Sequence, residues 1–194
     1  TEEVVSNRFA LPGGWFAPAT TRDWTFLGRH LEQNPHMHLL EAYLSIYKTT
    51  KDDAFLRSAT RMVSIYTEML RTSDRSKVLE HLDEKGQASG PNGLLIEPGH
   101  LYEWYWLVSE YADIAGLPAF KSTCAPIMEW ADRRCLDVDA GGIFDMVDAS
   151  GTIISHRKRI WPMTEQIKAL TTLVRDTPTE RSREALVGSM TFFL

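Results

Sequence analysis

Three stretches decide the fold: Asn34-Pro35-His36-Met37-His38-Leu39-Leu40-Glu41-Ala42, Glu97-Pro98-Gly99-His100-Leu101-Tyr102-Glu103-Trp104, and Trp161-Pro162-Met163-Thr164-Glu165-Gln166-Ile167-Lys168-Ala169. Each opens an apolar run of helical period just after a proline, which suits a first helical turn whose N–H groups lack partners. The glutamates Glu41, Glu103 and Glu165 recur every 62 residues. Each stretch is followed by a second helical segment, opening at Asp53-Ala54-Phe55, Pro118-Ala119-Phe120 and Pro178-Thr179-Glu180. The pattern predicts six helices, near 34–49, 52–72, 100–115, 119–135, 162–176 and 179–192, paired as three helical hairpins. A fixed period with one hairpin per unit belongs to an α-solenoid or toroid, in which each unit buries a face on its neighbours.

Between the pairs lie Lys77 to Gly99 and Asp137 to Ile160, with turn signals at Gly90-Pro91-Asn92-Gly93 and Ala149-Ser150-Gly151 and β-rich flanks. Short β-hairpins are predicted in both. The two helices of a pair differ in patterning. At 100° per residue Asn34, His38, Glu41, Ser45 and Lys48 share a stripe about 80° wide, and apolar Met37, Leu39, Leu40, Ala42, Tyr43, Leu44, Ile46 and Tyr47 cover most of the rest. That predicts a mostly buried inner helix whose polar stripe is either a functional face or plain solvated surface. The next helix sets Phe55, Ala59, Met62, Tyr66 and Met69 against a charged side, the pattern of an outer helix.

The chain of 194 residues carries 43% hydrophobic and 24% charged residues, enough for one sizeable core, which excludes disorder. A net charge of −5 argues against nucleic acid or an anionic membrane as partner. No run approaches the roughly 20 apolar residues of a membrane span, and Thr1-Glu2-Glu3 lacks the basic start of a signal peptide, so a soluble, cytoplasmic chain is expected. Cys124 and Cys135 fall on one predicted helix roughly 16 Å apart at 1.5 Å per residue, too far for a disulfide, and read as buried packing. No G-x-S-x-G, P-loop or G-x-G-x-x-G motif is present.

His38 with Glu41, and His100 with Glu103, stand at i and i+3 near the start of an inner helix, where each pair can meet on one face. A carboxylate beside an imidazole holds its tautomer, and a histidine titrating near neutral pH is suited to moving protons. A single such histidine is as well explained by core packing or capping; the recurrence in register favours a role in chemistry. Metal binding is the competing reading, since His36-x-His38-x-x-Glu41 resembles ligand spacing. However, helical di-metal sites use the order Glu-x-x-His, and the third repeat has Pro162 where a histidine would stand. No metal and no cofactor are therefore expected. Aromatic faces pack on sugar rings while Asn, Glu and His reach hydroxyls, and Trp161, opening an inner helix, is the ring expected to line a pocket. Trp104, Tyr105 and Trp106 read as ordinary core. Of Arg157, Lys158 and Arg159, a hairpin surface, one is expected to reach inward.

On these motifs the chain resembles the N-acylglucosamine 2-epimerase superfamily, which includes mannose isomerases and cellobiose 2-epimerases. The resemblance runs over nearly the whole chain. It implies an all-α fold in which the three hairpins form about half of an (α/α)6 barrel, a single partial domain over 1–194, incomplete at both ends. It implies His100 as one of two acid/base histidines with Glu103 its carboxylate, and His38 as the holder of open-chain sugar oxygens. Asn34, Glu41, Trp161 and Glu165 would bind substrate, and the second acid/base histidine would lie beyond Leu194. The implied activity is aldose–ketose isomerisation of the mannose to fructose type through a cis-enediol, or 2-epimerisation; a carbohydrate-binding or interaction scaffold is the alternative from another class. Half a barrel alone is expected to be inactive and to associate through exposed apolar surface, a homodimer included.

Overall fold

The computed structural model describes residues 4–11, 14–27, 30–83, 85–90 and 92–193. The opening Thr1-Glu2-Glu3, Pro91 of the first turn signal and the final Leu194 lie outside them. Six α-helices are present among the described residues: α1 (Gln33–Thr50), α2 (Asp53–Ile65), α3 (Pro98–Ile114), α4 (Ala125–Arg134), α5 (Ile160–Asp176) and α6 (Glu180–Phe193); four agree with the prediction within two residues, whereas α2 ends and α4 starts well inside the predicted 52–72 and 119–135. Contacts divide the chain into two compact units, one of Thr1–Thr72 with Val78–Leu95, the other of Ser73–Lys77 with Ile96–Leu194.

In the first unit, α1 stops where Lys51 turns left-handed at φ 58° and its N–H reaches the Tyr47 carbonyl. Asp52 then caps α2, its carboxylate accepting from Ala54 N–H at 2.9 Å. The two helices pack through Met37, Leu40 and Leu44 on one side and Ala59, Met62 and Val63 on the other. Helix α2 runs on into a wider π turn, Tyr66–Leu70. One expectation for α1 fails: Ala42 is exposed and Leu39, Ile46 and Tyr47 only half-buried, because within this unit α2 covers one side of α1.

The first turn signal forms a turn, the Gly93 N–H bonding the Gly90 carbonyl at 3.2 Å, but no hairpin closes on it. The chain turns at Asp83–Gln87, where the Asp83 carboxylate collects the N–H groups of Lys85 and Gln87. Strand β2 (His81–Leu82) then pairs antiparallel with β1 (Leu31–Glu32). Strand β3 (Leu95–Ile96), whose Ile96 belongs to the second unit, joins a sheet of order β3, β4 (Met146–Asp148), β5 (Ile153–Ser155). The second turn signal stands as predicted. Asp148 accepts from Ser150 and Thr152 N–H, and Gly151 at φ 89° closes the β4–β5 hairpin.

The second unit is built round α3, in which Leu101, Tyr102, Trp104, Leu107, Val108 and Ala112 are all buried. Such all-round burial is what a helix enclosed by neighbours requires. Helix α4 is preceded by a 3-10 segment, Pro118–Cys124, because Pro126 has no N–H to continue an α-helical ladder back to Ser122. Cys124 and Cys135 are buried free thiols, and burial pushes the Cys135 thiol well up. The 62-residue period is visible in space here. Arg175 on α5 bonds Asp113 at the end of α3, 62 positions earlier, at 2.8 Å, and Lys121 joins Asp113 to Asp176. Among the described residues no helix is long and apolar enough to cross a membrane.

Candidate functional site

Helix α3 opens on Glu97 as N-cap, Pro98 in the first turn, and the His100 N–H bonded to the Glu97 carbonyl at 3.0 Å. His100 and, one turn on, Glu103 are both buried. Helix α5 opens with Trp161, whose ring centroid lies 4.9 Å from that of His100 at 36°. The approach depends on Gly99, since a Cβ there would stand 2.5 Å from Trp161 Cζ3. One turn along α5, buried Glu165 accepts from Trp106 Nε1 at 2.7 Å. Lys168 donates to the same carboxylate at 3.0 Å and stands 4.5 Å from the Trp106 ring centroid. The second unit therefore gathers four of the expected site residues on two neighbouring helix starts: His100 and Glu103 on α3, Trp161 and Glu165 on α5.

One contributor differs from the sequence reading: Trp106, read there as core, holds Glu165 in place. Arg159 is the member of the basic run that reaches the site, as expected of one of the three: it bonds Asp145 and, at 2.5 Å, Glu97, and its guanidinium lies 5.2 Å from the Trp161 ring centroid. The signal was available, because Arg159 stands one 62-residue period after Glu97. Lys158 bonds Asp137 and the Gly141 carbonyl instead, at 2.8 and 2.9 Å.

In the first unit, α1 carries Asn34, His38 and Glu41. His38 Nδ1 lies 3.6 Å from Glu41 Oε2, and the two side chains are 53% and 42% exposed. They meet as the i, i+3 spacing predicts and face away from the packed side of α1. His36 does not join them. It is fully buried, its Nδ1–H donating to the Glu32 carbonyl at 2.8 Å and its Nε2 accepting from Phe16 N–H at 3.0 Å. Both ring nitrogens are used, so the ligand set His36-x-His38-x-x-Glu41 does not form. Burial is the main cause that brings the His36 pKa down to about 4, with the Arg61 charge adding to it and the Glu32 carbonyl opposing it.

Below α3, Tyr102 donates to Asp132 Oδ1 on α4 at 3.0 Å. Burial raises both pKa values, and the neighbouring Asp132 charge adds to the rise at Tyr102.

Residues 2–190 match the family N-acylglucosamine 2-epimerase (GlcNAc 2-epimerase). The chain is 28% identical over 144 residues to a mannose-6-phosphate isomerase of Rhizobium meliloti (strain 1021), covering 72% of this chain and 37% of the relative. It is 24% identical over 164 residues to a cellobiose 2-epimerase of Bacteroides fragilis, covering 78% and 41%. Among solved structures, a D-mannose isomerase superposes with a TM-score of 0.84 at 18% identity, over 98% of this chain and 52% of that one. The chain thus spans about half the length, or less, of the relatives it matches. Its fold is that of the (α/α)6 barrel enzymes, of which it carries three helical hairpins with short strands between them. With a family match from end to end and these hairpins in place, the chain belongs to the N-acylglucosamine 2-epimerase family.

Proposed function

We propose that this chain is one partial barrel domain of an aldose–ketose isomerase acting on a free hexose of the mannose and fructose type. The observation that carries the reading is His100, buried at the start of α3 beside Glu103 and packed against the Trp161 ring. An imidazole in that place can take a proton from the carbon next to a sugar carbonyl, and a carboxylate one turn away can hold its tautomer. Removal of the C2 proton from the open-chain aldose leaves a cis-enediolate. Protonation at C1 gives the ketose. Protonation at C2 from the opposite face gives the 2-epimer instead, the second reading, which the cellobiose 2-epimerase relative keeps in view. His38 and Asn34 hold sugar oxygens in this scheme, Trp161 offers an apolar face to the ring, and Glu41 and Glu165 accept from hydroxyls.

The charges around His100 support an uncharged sugar. Arg159 is already bound by two carboxylates and Lys168 by Glu165. A phosphate would have to displace those partners. The test is incubation of the full-length protein with D-mannose, and separately with mannose 6-phosphate, in D2O, followed by NMR. Fructose carrying deuterium at C1, from mannose alone, is the expected result. Epimerised sugar without ketose would transfer the reading to a 2-epimerase. Binding without any exchange of the C2 hydrogen would leave a carbohydrate-binding scaffold.

A further inference from the structure

A cleft of about 450 Å3 opens in the second unit between α4, α5 and α6, with α3 at its floor. Its size falls within the roughly 300–1,000 Å3 of small-molecule sites. The floor is Tyr105, Met128 and Leu170, each more than nine-tenths buried. At about 100° per residue, Tyr105 lies about 140° around α3 from His100, so the cleft is served by a different face of that helix.

Three polar groups are left over at this cleft. The Tyr105 hydroxyl has no hydrogen-bond partner among the described residues although the residue is only 7% exposed. Its oxygen is not sealed among protein atoms, so at the cleft it is free to pair with a molecule that enters. Asp132 has one carboxylate oxygen occupied by Tyr102 and the other facing no protein donor among the described residues. Arg181, in the first turn of α6, senses the Asp132 charge but forms no ion pair with it. Ser182, also in the wall, offers nothing further, since its hydroxyl is taken up in capping α6 with Thr177 and Thr179.

The charges at the rim cancel. Arg181 and Arg133 stand against Asp132 and Glu129, and the Tyr105 hydroxyl stays protonated because burial pushes its pKa up to about 12. Neither an anion nor a cation gains from such a rim. A ligand whose hydroxyls both donate and accept matches a carboxylate, a guanidinium and a phenol set apart from one another, and the apolar floor suits the C–H face of a ring. We propose that this cleft binds an uncharged polyhydroxylated molecule of about hexose size, held by Tyr105, Asp132 and Arg181.

The experiment is NMR of the full-length protein carrying 13C-methyl methionine, with the Met128 resonance identified by its loss in Met128→Leu. The probes are myo-inositol, which has no carbonyl and is no substrate for isomerisation, then sodium acetate and sodium phosphate. A saturable shift of the Met128 methyl with myo-inositol is expected. It should weaken about tenfold in Tyr105→Phe and in Arg181→Met, each losing about one hydrogen bond, and persist in His100→Asn. Arg181 is exposed, so its replacement leaves the fold intact and keeps the test valid if Tyr105→Phe is unstable. No shift with myo-inositol, a shift untouched by both cleft variants, or a shift with the anions alone would overturn the proposal.

Discussion

The indole of Trp161 occupies the space that a side chain on Gly99 would need: a Cβ at position 99 would lie 2.5 Å from Cζ3 and 2.7 Å from Cη2. His100 and Gly99, 61 and 62 positions before Trp161 in sequence, are thereby brought under its ring, and the starts of α3 and α5 are locked in register. The lock is steric. It fixes where the His100 imidazole sits.

Gly99→Ala is accordingly expected to destabilise the protein by about 1–3 kcal/mol, the usual cost of overpacking, and to shift tryptophan fluorescence. In an exposed helix the same change would gain about 1 kcal/mol. Urea unfolding decides the sign, and a stabilised variant would show that Trp161 moves aside freely.

Trp106→Phe keeps the ring but removes the Nε1–H that Glu165 accepts at 2.7 Å. Loss of a hydrogen bond to a buried carboxylate is expected to cost about 1.5–3 kcal/mol in urea unfolding. Lys168, half-exposed, compensates for little of it. A change below about 0.5 kcal/mol would mean that Glu165 repacks without Trp106, as surface positions do.

The pH dependence of stability should carry the mark of His36. Its folded pKa, about 4, lies below the ordinary 6.5, so the unfolded chain binds the extra proton between these values. The neutral ring's contribution is complete above about pH 6.5 and is lost as pH falls toward 4, a change of about 3 kcal/mol at about 1.4 kcal/mol per pH unit. His36→Ala should be less stable at pH 7 and nearly flat across that window. An equally steep loss in the variant would assign the window to other groups.

His100→Asn and His38→Asn should separate chemistry from binding in the full-length protein. The first is expected to keep most mannose affinity, since an amide still hydrogen-bonds, while proton transfer slows by about 10²–10⁴-fold. The second should weaken both affinity and rate, because in the proposed scheme His38 holds oxygens of substrate and enediolate alike. Deuterium entering C2 at near the wild-type rate in His100→Asn would make His100 a packing residue.

How far the sequence reached can be judged residue by residue. Helical period, proline at helix starts and the 62-residue spacing of Glu41, Glu103 and Glu165 are local or additive signals, and they located six helices and their pairing. The turn at Ala149-Ser150-Gly151 was equally legible, because Asp148 and Gly151 satisfy it from within. Gly90-Pro91-Asn92-Gly93 marked a real turn but not a hairpin, since a turn signal does not say which strands will pair, and β2 and β3 found partners far away in sequence.

By itself, then, the sequence determined the repeat, the helix pairs and the position of His100 and Glu103 on an inner helix, for these follow from periodicity along one chain. Only the tertiary structure decided that His36 is sealed between Phe16 and Glu32 while His38 is open, that Arg159 joins Glu97 and Asp145 while Lys158 joins Asp137, and that Trp106 is the partner of Glu165. The physical reason is common to all three. A polar atom withdrawn from water must find a partner wherever the folded chain offers one, and here the partners stand anywhere from 4 to 62 positions away, a choice that periodicity along the chain does not make.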